Sequence, residues 1–214
     1  MLTLAVFSQK GGAGKSTLAV HVAVAAARSM KVILIDADPQ GTVASWAHGR
    51  QAMDPFVARV EPSSITQLLD GAKSEGFKLA VVDCPPHAAP GTTALLRAAN
   101  HIVIPTQPTM PDLSATARSV ALARSAGRSY SFVVNRAPSR APEVAQAIEA
   151  LGCGGQVAPV VIGDRRAYAR ALTDGLAVTE FALGSSKAAT EINTYWTWLY
   201  EHMKEQAWQT QQAA

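Results

Sequence analysis

The sequence predicts a doubly wound α/β fold: a mostly parallel sheet with helices on both faces. Three observations carry that prediction. Apolar runs of strand length alternate with runs of helical spacing along the chain. Several short runs, Val32–Asp36 and Leu79–Asp83 among them, are continuously apolar, as strands covered on both faces require. The groups suited to ligand chemistry stand just after such runs, where an open parallel sheet binds its ligand.

In chain order, the strand candidates are 2–8, 32–36, 56–60, 79–83, 101–105, 131–135 and 157–161. The helix candidates are 15–29, 65–76, 92–99, 113–125, 142–151, 165–173 and 186–205. Ser64 and Asp112 stand where helix N-caps are expected, and Gly127, Gly152 and Gly175 where helices should stop. A chain of 214 residues suits one such domain, assigned to 1–205, with 206–214 as a polar C-terminal tail. Alanine is abundant and aromatics make up only 6% of residues, so helices should approach the sheet through small side chains.

The net charge of +3 permits an anionic partner without demanding one. Cys84 and Cys153 show neither metal-ligand spacing nor a disulfide framework. The apolar N-terminal run is short and leads straight into a glycine-rich turn, unlike a secretory leader. No apolar stretch has the length of a bilayer span. A cytoplasmic protein is expected.

The glycine-rich turn is Gln9-Lys10-Gly11-Gly12-Ala13-Gly14-Lys15-Ser16-Thr17. A strand, such a turn and a helix in succession make the context of a phosphate-binding P-loop. Glycines at 11, 12 and 14 let the backbone curl and turn its N–H groups inward, and the new helix adds the positive end of its dipole. Lys15 would reach the β- and γ-phosphates of ATP, and the Ser16 hydroxyl would ligate Mg²⁺. Gly11, Gly12, Ala13, Gly14, Lys15, Ser16 and Thr17 are the nucleotide-binding candidates. The standard P-loop begins with glycine where this chain has Gln9, and a second lysine, Lys10, opens the loop.

Two more strands end in carboxylates. The run ending Asp36-Ala37-Asp38-Pro39-Gln40 reads equally as a strand followed by an Asp-Pro turn or as acidic groups facing a nucleotide's phosphates, its Mg²⁺ or a water. Asp83, ending Leu79–Asp83, has the position of the aspartate that holds Mg²⁺ in P-loop enzymes.

These segments resemble the ParA/MinD family of deviant-Walker ATPases. The resemblance rests on Lys10–Thr17, Asp36–Gln40 and Val81–Pro86, with 101–106 similar to the strand before the family's next helix. Length and short N-terminus look most like the small plasmid-type ParA proteins. The resemblance implies that Lys10 reaches the partner's phosphates in a homodimer closed around ATP. It implies that Asp38 acts on the attacking water and Asp36 supports the Mg²⁺ shell, which makes Lys10, Lys15 and Asp38 catalytic and Ser16, Asp36 and Asp83 metal-side residues. Asn135 matches the position that reads adenine, although an asparagine there is also simply a good turn residue.

Arginines gather between 113 and 170, against few acids. The run is either a solvated surface or, once folded, a face for phosphate backbones. The segment 164–171 resembles the family's DNA-contacting stretch, which makes Arg165, Arg166, Arg170 and Lys187 the DNA-binding candidates. Aromatics cluster at 195–200 and Trp208, but after Lys187 only Lys204 is basic, so an internal packing stripe with a frayed end fits better than a membrane helix. The first functional expectation is therefore a nucleoid-associated ATPase that partitions DNA with a centromere-binding ParB-type partner. The alternative keeps the switch but moves a protein cargo, a microcompartment or chemoreceptor cluster, or acts as a MinD-like regulator at a membrane.

Overall fold

The computed structural model describes residues 1–86, 91–181 and 186–212. Seven strands form one parallel sheet: β1 (Leu2–Val6), β2 (Val32–Asp36), β3 (Phe56–Arg59), β4 (Leu79–Asp83), β5 (His101–Thr106), β6 (Ser129–Val134) and β7 (Gln156–Val157). Their spatial order is β3-β2-β4-β1-β5-β6-β7, and each neighbouring pair is parallel. The eight α-helices described are α1 (Lys15–Ala27), α2 (Thr42–His48), α3 (Ile65–Ser74), α4 (Thr92–Ala98), α5 (Met110–Ser125), α6 (Glu143–Gly152), α7 (Arg166–Thr173) and α8 (Lys187–Gln212).

Strand alternation divides the core in two. Leu4, Val6, Leu34, Val81 and Val103 point to one face, where α1, α2, α7 and α8 cover them. Ala5, Phe7, Ile33, Ile35, Val82 and Ile104 point to the other, under α3, α4, α5 and α6. The doubly wound, two-faced sheet is the expected one. Helix α1 is its axis: residues 18–26 are all buried, and their alanines and valines let α1 lie against both the sheet and α8. Ile192, Tyr195, Leu199 and Met203 of α8 carry the other half of that contact and are essentially inaccessible. Truncating one such leucine costs about 2–5 kcal/mol.

Four boundaries differ from expectation. Of the run 157–161 only Val157 joins the ladder, as the second residue of β7, because Pro159 has no N–H to donate, and the sheet resumes only as a bridge between Ala137 and Gly163. Helix α2 was not foreseen; Gly41 begins it in the left-handed region (φ 66°). The N-cap of α5 is Thr109, not Asp112; Asp112 stands three residues on, its N–H bonded to Thr109 Oγ1 while its carboxylate accepts from that hydroxyl (2.6 Å). Helix α8 runs through most of the segment assigned as a tail, to Gln212, since nothing in 206–212 breaks a helix; Ala213 and Ala214 lie outside the described residues. Ser64 is the N-cap residue of α3, and Gly127 and Gly175 follow α5 and α7 with φ 67° and 68°.

Candidate nucleotide site

Register brings the chemistry together. Asp36 pairs with Asp83 across β2 and β4, and Asp83 with Val6 across β4 and β1, just before the P-loop. Three adjacent strands thus release the loop and the two carboxylate segments at one end of the sheet. Asn135, whose N–H bonds Thr106 O, ends β6 on the same side.

The P-loop is pinned from outside. Gln107 Nε2 donates to Gly12 O (2.8 Å), Asn135 Nδ2 to Ala13 O (2.8 Å), and the Arg136 guanidinium reaches Gly12 O at 3.5 Å. Each bond takes a carbonyl oxygen and leaves the amide N–H groups for an anion. Gly14 has φ 88°, and a Cβ there would collide with Asn135 Nδ2, so this glycine is required on both counts.

Inside the loop the charged groups are under-partnered. Lys15 is buried, its pKa lowered by burial against the pull of Asp83 and Asp38, and no ion pair within 4 Å is formed by it among the described residues. Asp83 is fully buried, and among the described residues neither carboxylate oxygen has a hydrogen-bond partner within normal geometry. Burial pushes its pKa up to about 7, with the nearby Ser16 hydroxyl and Lys15 pulling down and Asp36 pushing further up. An orphaned carboxylate beside a serine hydroxyl is the donor set for a hard divalent cation. Mg²⁺ fits these residues. Among the described residues no cluster of three or more His, Cys, Asp or Glu gathers around a point.

The other candidates are brought to the same place with different work. Asp36 is already engaged: Oδ1 accepts from Asp38 N (3.2 Å) and Oδ2 from Ala44 N in the first turn of α2 (2.8 Å). It holds α2 and aims Asp38 rather than offering an empty ligand position. Asp38, also buried, accepts from Gln40 N (3.0 Å) and lines the cleft with Lys15. Lys10 is half-buried at the loop's start, its N–H on Ser8 Oγ. Asn135 braces the P-loop in this structure and lines the cleft as well.

The arginine candidates divide. Arg166, Arg170 and Lys187 are exposed. Arg165 is not comparable: its guanidinium is held by Glu191, with Nε 3.0 Å from Oε1; both Arg165 and Arg166 line the nucleotide cleft. Sequence reasoning missed Glu191, which looks like one more surface charge on a helix, and His21, which reads as a core residue of α1.

A parallel sheet with a P-loop, a buried orphan aspartate and an unpaired lysine at one edge defines a nucleotide-binding P-loop protein. Residues 4–178 match the profile of the CobQ/CobB/MinD/ParA nucleotide binding domain, and the chain belongs to that family. It is an ATPase of the ParA/MinD kind, binding ATP with Mg²⁺. Among sequence relatives, it is 32% identical over 185 residues to "Maintenance of carboxysome distribution protein A" of Gloeobacter kilaueensis, covering 83% of this chain and 84% of that one. It is 30% identical to the protein of the same name from Halothiobacillus neapolitanus, covering 89% and 93%. Among solved structures it resembles apo McdA of Cyanothece (TM-score 0.79, 18% identity, 94% of this chain and 99% of that one). The Mg-ADP complex of the septum site-determining protein MinD from Pyrococcus horikoshii OT3 is similar too (TM-score 0.78, 16% identity, 96% and 98%). Among the described residues no helix is long and apolar enough to cross a membrane.

Proposed function

We propose that this ATPase is a positioning switch whose cargo is a protein assembly of the carboxysome kind rather than a plasmid. One observation carries the choice of cargo: two relatives named for carboxysome distribution match most of both chains at 30% identity or more. This favours the alternative over the partition reading with its ParB-type partner. The switch has the same chemistry under either cargo.

In the proposed cycle, P-loop amides and Lys15 take the phosphates of ATP. Ser16 and Asp83 would hold Mg²⁺, which would supply neutralisation of the developing charge on the phosphates. Asp36 aims Asp38 at the water. Lys10 leaves its own loop to meet the nucleotide of a second copy, so a homodimer forms only with ATP. Nonspecific DNA serves as the track, held by Arg166, Arg170 and Lys187; Arg165 is excluded from that set because Glu191 already compensates its charge. The protein would then be cytoplasmic and nucleoid-associated.

The cargo test is a gene deletion with imaging. Assemblies should collapse into clusters while plasmid loss stays at its ordinary rate. Raised plasmid loss with evenly spaced assemblies would restore the partition reading. The switch test is Lys10→Ala, expected to bind ATP normally but to lose the ATP-dependent dimer in light scattering; a variant that still dimerises would reduce Lys10 to a solvated loop residue.

A further inference from the structure

The nucleotide cleft, about 860 Å³, has two ends. One is the P-loop. The other is walled by Gly163, Arg165, Arg166, Tyr168, Leu172 and Ile192, which lie outside the glycine loop. With the triphosphate on the P-loop, base and ribose must extend into this second end. One carboxylate from α8 ties three groups of that wall together. Glu191 accepts from Gly163 N (3.2 Å), Arg165 Nε (3.0 Å) and Tyr168 Oη (2.8 Å). Its side chain is 15% exposed. Burial alone would raise its pKa; the hydrogen bonds from Arg165, Tyr168 and Gly163 outweigh that and hold it below its ordinary range, so it stays ionised and a full acceptor.

We infer that Glu191 is the positioning residue for the nucleoside half of ATP. It acts through the three groups it binds. Gly163 fixes the backbone of the wall, and Tyr168, nearly buried, backs it edge-on against His21. Arg165, gripped through its guanidinium, is held in one orientation and presents a flat face of the kind that stacks on a purine. The charge on Arg165 is thereby spent locally, which leaves it suited to a neutral base rather than to a phosphate backbone. The nucleotide site is the same whichever cargo the protein moves, so this inference and the cargo reading fail independently.

The test separates the halves of the nucleotide. In the full chain, steady-state ATP hydrolysis is measured with Mg²⁺, alongside inhibition by inorganic tripolyphosphate, which has no nucleoside. Glu191→Gln should raise KM for ATP about tenfold with kcat within about twofold, through loss of charge-assisted hydrogen bonds. The inhibition constant of tripolyphosphate should not move. Tyr168→Phe keeps the ring packing and removes one of the three bonds, so it should shift KM the same way by about threefold, and it decides the matter if Glu191→Gln fails to fold. Equal weakening of ATP and tripolyphosphate would mean a general structural effect and overturn the inference. So would an unchanged KM for ATP in the variants that fold.

Discussion

The two ends of the nucleotide cleft are built on opposite principles. At the phosphate end the polar groups are left wanting: among the described residues, neither Asp83 oxygen has a hydrogen bond of normal geometry and buried Lys15 forms no ion pair within 4 Å. At the nucleoside end Glu191 accepts from Gly163, Arg165 and Tyr168 at once. Orphaned charge in a buried place is costly unless something arrives to complete it. The first end therefore marks where a charged ligand binds, and the second where a neutral one is guided by shape. At Glu191 the network is saturated and serves as scaffolding, although His21 Nε2 in the same wall is buried with no hydrogen-bond partner among the described residues.

The largest expected effect falls on the unsatisfied end. Lys15→Ala should weaken binding of a fluorescent ATP analogue by about a hundredfold, the scale of a lost charge-assisted contact to phosphate. Near-normal affinity would break the contrast at its root. Gly14→Ala should come next. It forces a side chain into a left-handed backbone, at about 1–2 kcal/mol, and pushes Asn135 off the P-loop, so ATP affinity and the thermal midpoint should fall together. An unaffected thermal midpoint would show that the loop tolerates a Cβ.

The two ends should also titrate in opposite senses. Asp83 has a raised pKa of about 7 in the folded protein, so the fold binds an extra proton between about pH 4 and 7 and loses this stability as pH rises through 7. His21, in the wall near Tyr168, is driven down to about 3 by burial, so the unfolded chain binds the extra proton and stability falls as pH drops from about 6.5 towards 3. Removing either group should change the slope of stability against pH by at most about 1.4 kcal/mol per pH unit. In urea melts of the nucleotide-free protein, Asp83→Asn should remove a falling slope and His21→Gln a rising one. Changes of the same sign would contradict the assigned protonation states. The smallest effect belongs to Arg166→Ala, one residue from Arg165 but exposed: ATP affinity should stay within about twofold and stability within about 0.5 kcal/mol. A large loss of ATP binding would show that Arg166, which lines the same cleft, meets the nucleotide.

The same contrast explains what the sequence disclosed. The P-loop, Asp36-Ala37-Asp38 and Asp83 are contiguous motifs at strand ends, so residue order alone announces them. Strands β2 and β4 are legible for a similar reason, as unbroken apolar runs closed by aspartate. Glu191 is invisible because its partners are 20 or more residues away and a glutamate on a half-polar helix looks solvated. Arg165 looks like its neighbours for the converse reason: the basic run around it hides the acidic partner, Glu191, that the fold supplies. Helix α2 was overlooked because its cap is supplied from Asp36, eight residues before Ala44, and not from a local serine or aspartate. The 157–161 run looked like a strand because apolar content outweighed the proline within it.

Helix α8 gives the network at Glu191 a longer reach. Its 26 residues make a rod of about 39 Å, unbroken from Lys187 at the exposed basic surface, past the cleft, to Gln212. Past its midpoint His202 meets His101, where β5 begins. Between Glu191 and that contact Ile192, Tyr195 and Leu199 are locked in the core, so the wall of the cleft inherits the rigidity of the buried face it is seated on. A dye at Trp208, exposed beyond the last seated residue, Met203, should therefore report fraying of the helix end and stay silent to whether the cleft is full.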